Sequence, residues 1–234
     1  MHLRVIGSSP AWPNPGGACS SYLVDERVLL DCGPGSLAKL REGGGWPAVE
    51  AIVITHLHLD HWGDLVPWVW GSLFGPGREA ATPELWLPPG AVAELGPILA
   101  RLGSEDMFDR AFHVEEYEAA VPFDAAGLSV TAVPVLHYDI DAYGFRVQGD
   151  RLLGYSGDSG PCGGLGEIAA GADLFICEAT LERAELDGEL RGHLTPEEAR
   201  EAGAGAARIL LTHRPAELSQ PDGELARDGL ELDV

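Results

Sequence analysis

The 234-residue chain carries 15 basic against 37 acidic residues, a formal net charge of −22, and Lys39 is its one lysine. So acidic a surface repels nucleic acid at long range and argues against stable nucleic-acid binding, because phosphate contacts rest largely on Lys and Arg displacing counterions. Hydrophobic residues at 45%, with no low-complexity block and no apolar run of membrane-spanning length, exclude a disordered or transmembrane chain and leave one globular domain over residues 1–234. The opening run Met1 to Ile6 is broken too soon by Gly7 and Pro10 for a signal peptide, so a cytoplasmic location is expected. Cys19, Cys32, Cys162 and Cys177 show no C-x-x-C spacing and read as reduced, mostly buried thiols, none of them a ligand.

In chain order, strands are expected at 2–7, 20–25 and 27–31. Asp31 ends the third, and Gly33, Pro34 and Gly35 suit a turn into a helix at 36–42, which Asp31 would cap. Gly43 to Gly45 follow a helix and lack the downstream Lys and Ser/Thr of a phosphate loop, so they read as a turn. An apolar, β-branched strand at 50–54 then delivers Thr55-His56-Leu57-His58-Leu59-Asp60-His61. Three of the chain's eight histidines fall within six positions here, far too dense for chance. In an extended segment residues two apart point the same way, which sets His56, His58 and Asp60 on one side. Imidazoles and a carboxylate converging at a strand end make a site that zinc favours.

The aromatic run Trp62 to Phe74 reads as a helix broken at Pro67, its tryptophans mainly core, with a substrate pocket or subunit contact as the alternative. A strand at 84–87, a helix at 91–102 and a strand at 112–116 follow. His2 and His113 have no ligand-type neighbours and read as structural or exposed. Strands recur at 128–133, 143–147 and 152–155; helices at 161–170 and 195–204 then alternate with strands at 173–177 and 208–212. The tail from Pro215 is polar and weakly patterned. Strand-rich halves interleaved with helices predict two sheets packed face to face with helices outside.

Later strand ends carry further ligand types: His137, Asp158 and His213. Together these residues resemble the metallo-β-lactamase fold superfamily, in its ribonuclease Z-like branch. His56-x-His58-x-Asp60-His61 is similar to the signature motif, Asp31 to the first motif, and His137, Asp158 and His213 to the third, fourth and fifth. Cys177-Glu-Ala-Thr180 and Gly192-His-Leu-Thr195 resemble the His-Glu-Ala-Thr and His-Ser-Thr segments of ribonuclease Z, with Cys177 for the first histidine and Leu194 for the serine. The resemblance implies an α/β fold, an αββα four-layer sandwich. It also implies two divalent metal ions, one held by His56, His58 and His137, the other by Asp60, His61 and His213, with Asp158 bridging. The branch implies a homodimer, for which Trp62 to Phe74 is a contact candidate.

Mixed imidazole and carboxylate ligands suit zinc first, with manganese or iron as the other candidates. Two ions roughly 3.5 to 4 Å apart share a hydroxide near neutral pH, which Asp60 could orient. A phosphodiester has a poor alkoxide leaving group, so hydrolysis gains from a proton donor; His193 is the candidate, with Glu178 holding its tautomer. Thr195, Pro196 and Glu198 have the pattern of a capping box that would fix His193 ahead of a helix. The expected activity is metal-dependent hydrolysis of a small phosphodiester. The rivals are a carbon ester, lactone or thioester hydrolase on the same metals, a transfer RNA 3′-processing endonuclease, and a metal-occupied redox or binding protein. Ribonuclease Z carries an arm between the third and fourth motifs, and here His137 and Asp158 stand only 21 residues apart. Arg146 and Arg214 are the arginine candidates for a phosphate contact.

Overall fold

The computed structural model describes residues 1–103 and 105–234. The first half gives strands β1 (His2–Gly7), β2 (Ser21–Val24), β3 (Val28–Leu30), β4 (Ala51–Val53), β5 (Glu84–Leu87) and β6 (His113–Glu116). The second half gives β7 (Phe123–Ala125), β8 (Leu128–His137), β9 (Ile140–Gln148), β10 (Leu152–Tyr155), β11 (Leu174–Glu178), β12 (Ile209–Thr212), β13 (Glu224–Leu225) and β14 (Glu231–Asp233). They form two sheets, ordered β14-β1-β2-β3-β4-β5-β6 and β13-β12-β11-β10-β9-β8-β7. The helices are α1 (Ser36–Leu40), α2 (Leu59–Trp62), α3 (Leu65–Phe74), α4 (Ala91–Arg101), α5 (Glu105–Ala111), α6 (Gly163–Ala169) and α7 (Pro196–Ala202).

The pleat explains the layering, because alternate side chains of a strand face opposite ways. Val28 and Leu30 of β3 enter the core between the sheets together with Val53, Phe145, Tyr155 and Ile176. Leu29, with Ile52 and Leu85, faces away and packs on Trp68 and Leu95 of the helices. On the second sheet Phe175 and Leu211 face α6 and α7 in the same manner. Strands buried on both faces read as continuous apolar runs, which is what these segments are. The result is the expected αββα order of layers.

Strand direction then places the site. β3 and β4 run parallel, as do β10, β11 and β12, while β9 is antiparallel to both β8 and β10. The carboxyl ends of β8, β10, β11 and β12 therefore lie along one edge of their sheet, the edge at which open α/β sheets commonly seat ligands.

Four expectations are corrected. Pro67 does not break the helix: it lies in the first turn of α3, where an amide N–H has no intrahelical partner to lose, and the chain breaks earlier, at Gly63 and Asp64. Asp31 caps no helix; Gly35 precedes α1 in a left-handed conformation (φ 92°), and Asp64 accepts from the Leu37 amide at 2.8 Å instead. Only His56 and His58 are on extended chain, because α2 begins at Leu59 and carries Asp60 and His61 on one helical turn. The tail is structured, with β13 pairing with β12 and β14 with β1, so it ends one edge of each sheet. Trp62 and Trp68 are core, as expected, whereas Trp70 is 45% exposed beside Phe74. Among the described residues no helix is long and apolar enough to cross a membrane.

Candidate active site

The nine side chains read from the sequence as metal ligands or as proton donor and partner, His56, His58, Asp60, His61, His137, Asp158, His213, His193 and Glu178, converge at this edge. The potential ligand atoms of His56, His58 and His137 lie within 4.8 Å of one another, and so do those of Asp60, His61, Asp158 and His213. His137 and Asp158 also fall together in a group with His193, which sets Asp158 between the two clusters. His58 Nδ1 and His137 Nε2 are 2.9 Å apart, and Asp158 Oδ2 lies 3.3 Å from His61 Nε2 and 3.5 Å from His213 Nε2.

Four of the five imidazoles, all but His58, are fixed from behind. His137 Nδ1 donates to the Gly192 carbonyl at 2.7 Å, and His61 Nδ1 donates to Asp31 Oδ2 at 2.7 Å. Two threonine hydroxyls, Thr55 and Thr180, serve the others. Thr55 donates to Asp31 at 3.0 Å and accepts from His56 Nδ1 at 3.0 Å; Thr180 donates to Glu178 at 2.8 Å and accepts from His213 Nδ1 at 2.8 Å. A hydroxyl has one proton, so giving it to the carboxylate leaves its lone pairs for the histidine N–H. This orientation points the remaining nitrogen of His56, His61, His137 and His213 into the site, as metal ligation requires.

The donor set fits divalent cations. His56 Nε2, His61 Nε2 and Asp158 Oδ1 are buried without a hydrogen-bond partner among the described residues. A buried polar atom left unpaired is costly unless an ion or another partner meets it. Burial pushes the His56, His58 and His137 imidazoles below the ordinary histidine range, which keeps their lone pairs free. Burial opposes ionisation of Asp60 and Asp158 as well, but His61 and His213 override it and hold both carboxyls well below the usual range. Burial would likewise lower His61, which the surrounding Asp158, Asp31 and Asp60 raise well above.

His193 stands at the rim, its side chain 15% exposed, with the ring 5.0 Å from that of His137 and 5.7 Å from that of His213. Its Nδ1 donates to the fully buried Glu178 at 2.8 Å. Glu178 also accepts the amides of Ser159, Thr180 and Leu194, so its position is set from three segments. Burial lowers the His193 pKa, but Glu178 outweighs it and brings the value to about 9. The capping box forms as expected: Thr195 Oγ1 accepts from the Glu198 amide and Glu198 from the Thr195 amide.

Four supporting residues escaped the sequence reading: Thr55, Thr180, Tyr138 and Asp187. Both threonines adjoin motif residues, which is signal enough in hindsight. Asp187 had none; it accepts the Gly192 and His193 amides and the Tyr138 hydroxyl. Asp31, Tyr138 and His213 all have positive φ (58°, 53° and 57°), a conformation non-glycine residues rarely adopt, and such strain gathers at functional sites. Arg146 and Arg214 are otherwise engaged. Arg146 donates to the carbonyls of Glu167, Ile168 and Ala170 at the end of α6, and Arg214 to those of Ala179, Leu181 and Ser219.

Comparison with known proteins identifies the family. Residues 26–214 match the family model of the β-lactamase superfamily domain. An uncharacterized protein of Mycobacterium tuberculosis, Rv1339, is 30% identical over 95% of this chain and 84% of its own length. Ribonuclease Z of Mycolicibacterium paratuberculosis is 30% identical over 91% of this chain and 85% of its own. Three solved structures share the fold. The metallo-β-lactamase fold protein YhfI of Bacillus subtilis has a TM-score of 0.82 at 24% identity, with 99% of each chain covered. Human tRNase Z, short form, has 0.77 at 26%, covering 100% of this chain and 99% of that one. A diphosphatase of the PhnP family has 0.71 at 23%, covering 99% and 96%. The chain therefore belongs to the metallo-β-lactamase superfamily of hydrolase fold and, within it, to the ribonuclease Z-like branch.

Proposed function

We propose that this protein is a phosphodiesterase for small substrates, working with two divalent metal ions. His56, His58 and His137 would hold one ion and Asp60, His61 and His213 the other, with Asp158 between them. When bound, the ions supply Lewis acidity toward phosphoryl oxygens and an activated water. The observation that carries the reading is the pairing of His193 with buried Glu178 at 2.8 Å, at the rim of the cluster. With Nδ1 committed to Glu178, His193 presents Nε2 as the atom that gives a proton to the departing alkoxide. Glu178 never meets the substrate; it fixes the ring and favours the protonated imidazole. A carbon ester with a good leaving group has little use for such a donor, which ranks that alternative second.

Transfer RNA processing is disfavoured on two counts, although relatives carry that name. The interval between His137 and Asp158 is taken up by β9 and β10, which leaves no place there for an arm. The net charge of −22 opposes capture of a polyanion.

His193→Ala separates these possibilities. The variant should keep its metals and lose roughly 10² to 10⁴ in rate on diesters with alkoxide leaving groups. On nitrophenolate esters, whose leaving group departs without a proton, the loss should be far smaller. Equal losses on both substrates would sink the proton-donor role, and efficient cleavage of precursor transfer RNA with small diesters untouched would sink the substrate class.

A further inference from the structure

A cavity of about 370 Å³ adjoins the candidate metal cluster. Ser8 lines it while its carbonyl accepts the His213 amide at 3.1 Å, and Arg214, the next residue, lines it too. Its lining holds three of the chain's 15 basic residues, Lys39, Arg214 and Arg227, but one of its 37 acidic residues, Asp228. In so acidic a protein that balance marks the cavity as locally cationic.

The lone acid is already engaged. Asp228 accepts from the Ser8 amide at 3.1 Å, the Ser8 hydroxyl at 3.0 Å and the Ala18 amide at 2.8 Å. Arg214 is committed to three carbonyls, so it contributes charge more than free donors. The free donors belong to other residues. Among the described residues Lys39 Nζ pairs only with Glu42, 3.5 Å away and 71% exposed, a screened pair that holds it weakly. Arg227 has one side-chain partner, Gln220 at 2.9 Å, which leaves most of its guanidinium donors unused.

Ser9 supplies the independent sign of a ligand. It is 1% exposed, lines the cavity, and its hydroxyl has no hydrogen-bond partner among the described residues. A methyl group at Gly17 would sit 2.6 Å from that hydroxyl, so glycine is the residue that leaves it uncrowded. A buried hydroxyl left unpaired costs stability, and an anion drawn into the cavity by Lys39 and Arg227 would give it an acceptor.

We propose that Ser9, Lys39 and Arg227 form a phosphate subsite that binds a phosphate group lying away from the scissile bond. The shared chemistry is a phosphate monoester dianion, supplied either by the substrate or by free phosphate; the substrate source rests on the diesterase reading above. Lys39 brings a point charge and Arg227 the planar fork that suits phosphate oxygens.

The test uses the full-length, metal-loaded protein in two arms. In the first, thymidylyl-thymidine with and without a 5′-phosphate is compared by kcat/KM. The wild type should prefer the phosphorylated form by roughly tenfold or more, as a charge-assisted contact warrants. Lys39→Met, Arg227→Gln and Ser9→Ala should each shrink that ratio, whereas Arg151→Gln, an exposed arginine paired with Asp173, removes equal charge and should preserve it. In the second arm, inorganic phosphate is titrated calorimetrically, and the wild type should show a binding component that Lys39→Met and Arg227→Gln lose. Loss of that component without any dinucleotide preference assigns the subsite to free phosphate. An unchanged isotherm together with an unchanged ratio overturns the subsite and leaves the diesterase reading standing. If neither dinucleotide is hydrolysed the substrate source fails, and the calorimetric arm decides the subsite alone.

Discussion

Thr180 shows how closely single residues bind the two halves of this site together. Its one hydroxyl donates a hydrogen bond to Glu178 and takes one from His213, so it links the carboxylate behind the proposed proton donor to a proposed ligand of the second ion. Thr55 stands in the mirror position between Asp31 and His56. Valine is nearly the shape of threonine but neither donates nor accepts. Thr180→Val should therefore weaken metal at the second site by roughly 10- to 100-fold, read by chelator competition, and Thr180→Ser should restore most of it. An unchanged affinity in the valine variant would reduce Thr180 to packing. Asp158 sits deeper in the same logic, between both clusters with one oxygen unpartnered. Asp158→Ala should cut metal content from about two ions per chain to one or none, measured by elemental analysis of protein reconstituted with zinc or manganese. Full occupancy with full activity would refute the bridging role.

At the scale of elements, α7 is where stability and the site meet. Its capping box satisfies two orphan N–H groups two residues after His193, and Arg191 adds hydrogen bonds to Glu198 at 2.8 Å and to the His193 carbonyl at 2.9 Å. Thr195→Ala should cost about 1 kcal/mol of unfolding free energy in urea, the usual size of a lost cap. A midpoint unmoved by the substitution would mean that Arg191 and Glu198 hold the turn without the threonine. This helix was legible in the sequence because capping is local: hydroxyl, proline and glutamate stand within four residues. The candidate ligands were legible for a similar reason, since His56, His137, Asp158 and His213 stand at or just past the ends of apolar strands whose pattern fixes where the chain emerges. What escaped depends on partners distant in sequence. β13 and β14 are two and three residues long, too short for any alternation, and exist only because an edge of β12 or β1 is there to pair with. Asp187 and Tyr138 meet across 49 positions, and nothing local to either foretells it. Arg146 and Arg214 misled because a spare cation looks free until the carbonyls that claim it are in place.

The whole molecule sets a field that its site must work against. A net charge of −22 repels an anionic substrate over a distance that salt shortens, about 10 Å at 0.1 M and 3 Å at 1 M. The cationic groups of the site act at contact, inside that screening length, and lose less to salt than the long-range repulsion does. The sign of the salt dependence follows. For a protein that gathers phosphates with an exposed basic surface, affinity falls as salt rises. Here kcat/KM for a small diester should rise as sodium chloride goes from about 10 mM to about 100 mM, since screening removes repulsion first. A neutral ester hydrolysed by the same centre should show almost no change over that range, because it feels no field. The unfolding midpoint should climb over the same interval, as self-repulsion of the folded chain is relieved. A steep fall in diester kcat/KM with salt, flat for the neutral ester, would mean that substrate is steered by a cationic surface after all, and would return a polyanion such as RNA to first consideration.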